Sequence, residues 1–180
     1  MADLEGASDE LLAQRAADGD TAAFAVIVRR HGPFLRAFAI RLAGSTADAD
    51  DIVQEALITG WKQLPTLAEP AKVRAWLTTI VSRKSTDHFR SRKPSTELDD
   101  TRPDARPGPE GEAVTRSRLD ALAAVLASLP DSQRECWVLK EVGGYSYEEI
   151  GQQLDLSPTV VRGKLARARA TVIQEMEVWR

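Results

Sequence analysis

A chain of 180 residues has room for one large domain or two small ones of about 75–90 residues each. Its 24 basic and 27 acidic side chains leave a net charge of −3, which excludes a uniformly polybasic nucleic-acid binder; any DNA contact must rest on local segregation of charge. The single cysteine, Cys136, excludes an intrachain disulfide, and no apolar run approaches the roughly 18–20 residues of a membrane span.

The opening MADLEGASDE is acidic where a signal peptide would be basic, so a cytoplasmic protein is expected. From there, helical spacing dominates. Leu11, Leu12 and Ala16, then Phe24, Ile27 and Val28, predict two helices joined near Asp18-Gly19-Asp20. Leu35, Phe38, Ala39 and Leu42 carry the stripe on to Gly44. A further helix begins near Ala47, sets Ile52, Val53, Ala56, Leu57, Gly60 and Trp61 on one face, and stops at Leu64-Pro65. A fourth covers about Ala71 to Arg92, with Val73, Trp76, Leu77, Ile80 and Val81 inward. With no β-alternation of any length, residues 1–93 read as an all-α domain.

Residues 94–113, PSTELDDTRPDARPGPEGEA, break the pattern. Pro94, Pro103, Pro107 and Pro109 prevent a continuous helix, and the segment has too little apolar surface to fold alone. It reads as a flexible, acidic, Pro-rich linker.

Residues 114–180 read as a second all-α domain of four helices. Leu119, Leu122, Val125, Leu126 and Leu129 form the first stripe, broken by Pro130-Asp131. Ser132-Gln133-Arg134-Glu135 has the spacing of a capping box, opening a helix through Val138, Leu139 and Val142 that ends at Gly143-Gly144. Ser146-Tyr147-Glu148-Glu149 repeats that spacing. The helix it opens directs Ile150 and Leu154 inward, with Gly151 leaving room for a close crossing. After the turn Asp155-Leu156-Ser157, Ser157 caps the last helix and Pro158 suits its first position. Val161, Leu165, Ala168 and Val172 form its inner stripe; Arg162, Lys164, Arg167 and Arg169 flank it; Thr159, Gly163, Ala166 and Ala170 point away.

This layout is that of a helix-turn-helix, whose second helix enters the major groove N-terminal half first. Ser157, Thr159, Val160 and Gly163 are then expected at the DNA, with the basic side chains Arg162, Lys164, Arg167 and Arg169 reaching phosphates on both sides. A plain helical hairpin with a solvated basic rim is the bland alternative. The small outward face admits close approach but offers few hydrogen bonds to base edges.

Charge is segregated earlier too. Residues 71–93 hold seven basic side chains against Asp87 alone, interleaved with Trp76 and Phe89, a composition that suits unpaired or distorted nucleic acid; at helical spacing with Val73 and Ile80, Trp76 reads first as a core residue. The preceding helix crowds Asp48, Asp50, Asp51 and Glu55 into its first turns. Acids there complement the helix dipole, and such a face also suits a protein partner. Only His31 and His88 occur, with no phosphate loop or metal-spaced cluster, which argues against an enzyme; Cys136 beside Trp137 reads as core.

Together these motifs resemble the bacterial sigma-70 family, in particular its extracytoplasmic-function group. Asp48 to Glu55 looks like the family's polymerase-binding motif; Trp76-Leu77 with Ile80, Asp87 and Arg90 resembles its −10 helix; LPDSQRECWVLKEVGGYSYEEIGQQLDLSPTVVRGKLARAR resembles its −35-reading domain. The resemblance implies that Asp48, Asp51, Gln54, Glu55 and Trp61 meet core RNA polymerase, at its β′ clamp helices and β subunit. It implies that Trp76, Arg83, Lys84, Asp87, His88, Arg90 and Arg92 lie at the −10 element, and that the last helix holds the −35 duplex. Promoter DNA and an anti-sigma factor are the further partners implied; no cofactor, metal, small-molecule substrate or membrane insertion is. The family often has an aromatic at Leu57, Asn at Arg83, and Thr or Ser at Val160 and Gly163, so promoter preference does not carry over. A free-standing helix-turn-helix regulator is the competing reading; it would dimerise on paired half-sites and need no polymerase.

Overall fold

The computed structural model describes residues 4–92 and 118–177; the linker expected over 94–113 lies outside them, as do the side chains of Phe89, Arg92 and Leu119. The described residues hold eight α-helices and no strand. They are α1 (Asp9–Ala17), α2 (Thr21–Ala43), α3 (Thr46–Gln63), α4 (Val73–Arg92), α5 (Arg118–Ser128), α6 (Asp131–Glu141), α7 (Tyr147–Leu154) and α8 (Pro158–Met176). Two 3-10 turns, Leu64–Thr66 and Pro70–Lys72, join α3 to α4. The chain divides into two compact units, Met1–Ile40 with Thr46–Arg92, and Arg41–Ser45 with Lys93–Arg180.

In the first unit, Ser8 caps α1 by accepting from the Leu11 amide, and Asp20 caps α2 by accepting from Ala22 and Ala23. Leu12, Ala16, Ile27, Leu35, Phe38 and Ala39 are buried as their spacing predicts, but Leu11 is exposed, because Ala13 takes the inward position beside Leu12. α3 packs along α4, and Gly60 leaves room for Leu77: a Cβ there would stand 2.7 Å from Leu77 Cδ2. The fourth helix begins at Val73 rather than Ala71, since Pro70–Lys72 forms a separate 3-10 turn.

In the second unit, Leu126, Leu129, Val138, Leu139, Ile150, Val161, Leu165 and Ala168 form the core; each leucine fully removed from water contributes roughly 1.5–3 kcal/mol. Ser132 and Glu135 do not form the expected capping box. α6 starts two residues earlier, with Pro130 in place of Ser132 as its N-cap and no side-chain cap, and the Ser132 hydroxyl is engaged elsewhere. Cys136 is buried as expected, and burial pushes its thiol pKa up to about 12, so it is an inert core residue.

Candidate nucleic-acid interface

The helix-turn-helix is formed by α7 and α8. The Ser146 hydroxyl accepts from the Glu149 amide at 3.1 Å, and Glu149 accepts from the Ser146 amide at 2.7 Å, a complete capping box. The Ser146 amide lowers the Glu149 pKa. Asp155 ends α7 in the left-handed region (φ 57°, ψ 48°), a conformation aspartate tolerates better than most residues. Gly151 serves this turn: a Cβ there would stand 2.5 Å from the Leu156 carbonyl oxygen, so the chain could not reverse so tightly around any other residue. Ser157 caps α8 through the Val160 amide at 3.3 Å, with Pro158 at the first helical position.

α8 then divides by face. Val161, Leu165 and Ala168 are buried, Val172 is half-buried, and Thr159, Ala166 and Ala170 are exposed with Gly163 half-exposed between them. Val160 is 41% exposed, on the same flank as Arg167. Arg162 and Arg169 line the other flank. The Arg162 guanidinium lies 5.2 Å from the Tyr147 ring centroid, and Arg169 donates from Nε (3.0 Å) and Nη2 (2.6 Å) to Glu141 Oε1. Lys164 departs from expectation. It is 8% exposed, and its Nζ donates to Ser132 Oγ at 2.9 Å, so it anchors α8 to α6 instead of facing outward. The inner stripe is only part of a turn wide, and at position 164 the helix presents its side rather than its outer face.

In the first unit the acidic and basic helices lie side by side and partly offset each other. Lys84 Nζ stands 3.6 Å from Glu55 Oε2, and His88 Nε2 stands 3.3 Å from Asp48 Oδ1. Asp50 is held by Arg36, which donates from Nε at 2.6 Å and Nη2 at 3.1 Å and keeps the carboxyl below its ordinary pKa. Arg74 stacks on Phe34 at 4.1 Å from the ring centroid. The basic run is therefore offset in part from within its own unit. Arg83, Asp87 and Arg90 are exposed on α4, and Asp51, Gln54, Glu55 and Ile58 on α3.

Comparisons with known proteins agree with this geometry. The profile of Sigma-70 region 2 matches residues 27–94, and that of Sigma-70, region 4 matches residues 119–172. The RNA polymerase sigma factor CnrH of Cupriavidus metallidurans is 33% identical over 174 residues, covering 91% of each chain. The chain belongs to the sigma-70 family.

Within that family it is an extracytoplasmic-function sigma factor. The ECF RNA polymerase sigma factor SigM of Mycobacterium tuberculosis is 32% identical over 92% of this chain and 83% of its own. A solved structure of CnrH with the cytosolic domain of CnrY matches with a TM-score of 0.57 at 30% identity, over 94% of this chain and 97% of that one. A sigma factor directs RNA polymerase to promoters, so the free-standing regulator is not favoured. Among the described residues of this sigma factor, no helix is long and apolar enough to cross a membrane, and no group of three or more His, Cys, Asp or Glu is placed to hold a metal.

Two of the aromatic residues assigned by resemblance are partly inside. Trp61 is half-buried against Phe24, ring centroids 5.1 Å apart, and Trp76 is half-buried beside Gly60. Sequence reasoning missed Arg36, Glu141 and Tyr147, which hold or flank charged site residues. Arg36 and Asp50 are 14 residues apart, and Glu141 and Arg169 are 28 apart, too distant for any periodic signal.

Proposed function

We propose that this sigma factor docks on core RNA polymerase through the exposed edge of α3, with Asp51, Gln54 and Glu55 against the β′ clamp helices. Asp48 and Trp61 back that edge from half-buried positions. α4 then presents Arg83, Lys84, Asp87, His88 and Arg90, with Trp76, to the −10 element as the duplex opens. α8 reads the −35 element, with Ser157, Thr159, Val160 and Gly163 toward the bases and Arg162, Arg167 and Arg169 toward the phosphates. Lys164 is omitted from the DNA-facing set because it is buried against Ser132.

The observation that carries this reading is the outer surface of α8: small side chains bordered by exposed arginines, on the second helix of a pair in which Ser146 caps α7, Ser157 caps α8 and a left-handed Asp155 makes the turn between them. The protein acts by binding and positioning, not by covalent chemistry, and works in the cytoplasm beside the polymerase. An anti-sigma factor is its expected regulator, by analogy with CnrH, which is seen with the cytosolic domain of CnrY.

Run-off transcription tests the reading. Core polymerase plus this chain should initiate at a defined start on a responsive promoter, and core alone should not. A chain that binds duplex DNA tightly as a dimer and never joins core polymerase would refute it.

A further inference from the structure

The flank of α8 that carries Arg162 and Arg169 rests on residues the helix-turn-helix does not itself require. Glu141, the last residue of α6, takes both Nε and Nη2 of Arg169 on one oxygen, Oε1. The adjoining Tyr147 ring meets two cations, Lys140 Nζ at 4.9 Å and Arg162 Cζ at 5.2 Å from its centroid. The Glu141 and Arg169 side chains are 35% and 46% exposed, so the pair sits on the rim and not in the core. Exposed pairs add little to stability, and the fold does not depend on this one. What it changes is the charge and aim of Arg169. Glu141 occupies the Nε–Nη2 edge and the Tyr147 side chain is a further hydrogen-bond partner; of its five N–H groups the guanidinium still retains some for another acceptor, while the carboxylate offsets its charge.

We propose that Glu141 is a specificity-setting positioning residue. It holds Arg169 aimed at one phosphate and cancels the charge that would otherwise draw this flank to any DNA. This rests on reading α8 as the DNA-facing helix. Phosphate attraction is blind to sequence, so each uncompensated arginine strengthens promoter and non-promoter binding alike and narrows the difference between them.

The test is salt-dependent binding of the assembled holoenzyme to promoter and non-promoter duplexes. Glu141→Gln preserves shape and an acceptor but removes the charge. It should steepen the log–log salt dependence on non-promoter DNA by up to about 0.9, equivalent to roughly fivefold tighter binding near 0.15 M salt. Promoter binding should gain less, so the ratio falls. Glu141→Asp retains the charge and should retain the parent slope, whereas a purely structural role would make it as damaging as Glu141→Gln. Adding Arg169→Gln to Glu141→Gln should restore the parent slope. An unchanged slope and ratio in Glu141→Gln overturns the proposal, as does a steepening that survives loss of Arg169. Normal promoter binding in those cases leaves the α8 reading standing; a holoenzyme in which no α8 arginine affects duplex binding overturns both.

Discussion

Lys164 Nζ lies 2.9 Å from Ser132 Oγ, and only 8% of the lysine is exposed. A basic residue in the middle of the proposed recognition helix thus fastens that helix to α6. Its charge-assisted hydrogen bond and buried stem are worth about 1.5–3 kcal/mol. Lys164→Ala should lower the unfolding free energy by about that amount, read by thermal or urea denaturation. Lys164→Met keeps the volume and should leave the salt dependence of promoter binding unaltered; a slope change in that variant would place Lys164 on the DNA after all.

Arg162 and Arg167 are exposed and should behave in the opposite way. The double substitution Arg162→Ala with Arg167→Ala should weaken promoter binding and reduce the log–log salt slope by about 0.9 for each phosphate no longer neutralised. Melting temperature should move little. Unchanged DNA binding in a folded double variant would mean that these helices serve protein partners only.

On α3, Asp51, Gln54 and Glu55 are exposed while Asp50 is held by Arg36. Alanine at the first three should weaken association with core polymerase, measured by competition for core, without destabilising the free protein. Asp50→Ala removes an exposed ion pair and should have a smaller effect on core binding.

Gly151→Ala should destabilise the second unit by about 1–3 kcal/mol, because the new Cβ would meet the backbone carbonyl of Leu156 at 2.5 Å and backbone cannot step aside cheaply. Gly60→Ala meets the end of the Leu77 side chain at 2.7 Å, which can rotate, so its cost should be smaller. Equal losses in the two variants, by differential scanning calorimetry, would contradict this account.

Glu149 supplies a pH dependence. Hydrogen bonds from Ser146 hold its folded-state pKa below the ordinary value. The cap therefore stabilises α7 above the unfolded-state pKa, and this contribution is lost as pH falls through the lowered folded value. Glu149→Gln keeps a capping-box acceptor but does not titrate, so the decline in stability below about pH 5 should be shallower. An acid limb identical to that of the parent would exclude the cap as its cause.

Much of this protein could be read along the chain. Helix existence and type, the Ser146–Glu149 box, the Ser157-Pro158 start and the inner stripe of α8 all depend on residues within about one helical turn of each other, where periodicity and capping chemistry act. Sequence also placed two sigma-type motifs in order. Where local chemistry had two solutions, tertiary packing chose. Ser132 had the spacing of a cap, yet its hydroxyl took Lys164 from α8 and Pro130 became the N-cap. Lys164 looked like one more phosphate ligand, yet its position beside the buried stripe turned it inward. Partners 28 to 40 residues apart, Glu141 with Arg169 and Asp48 with His88, meet only because the helices pack, and no local spacing encodes which charges remain for DNA.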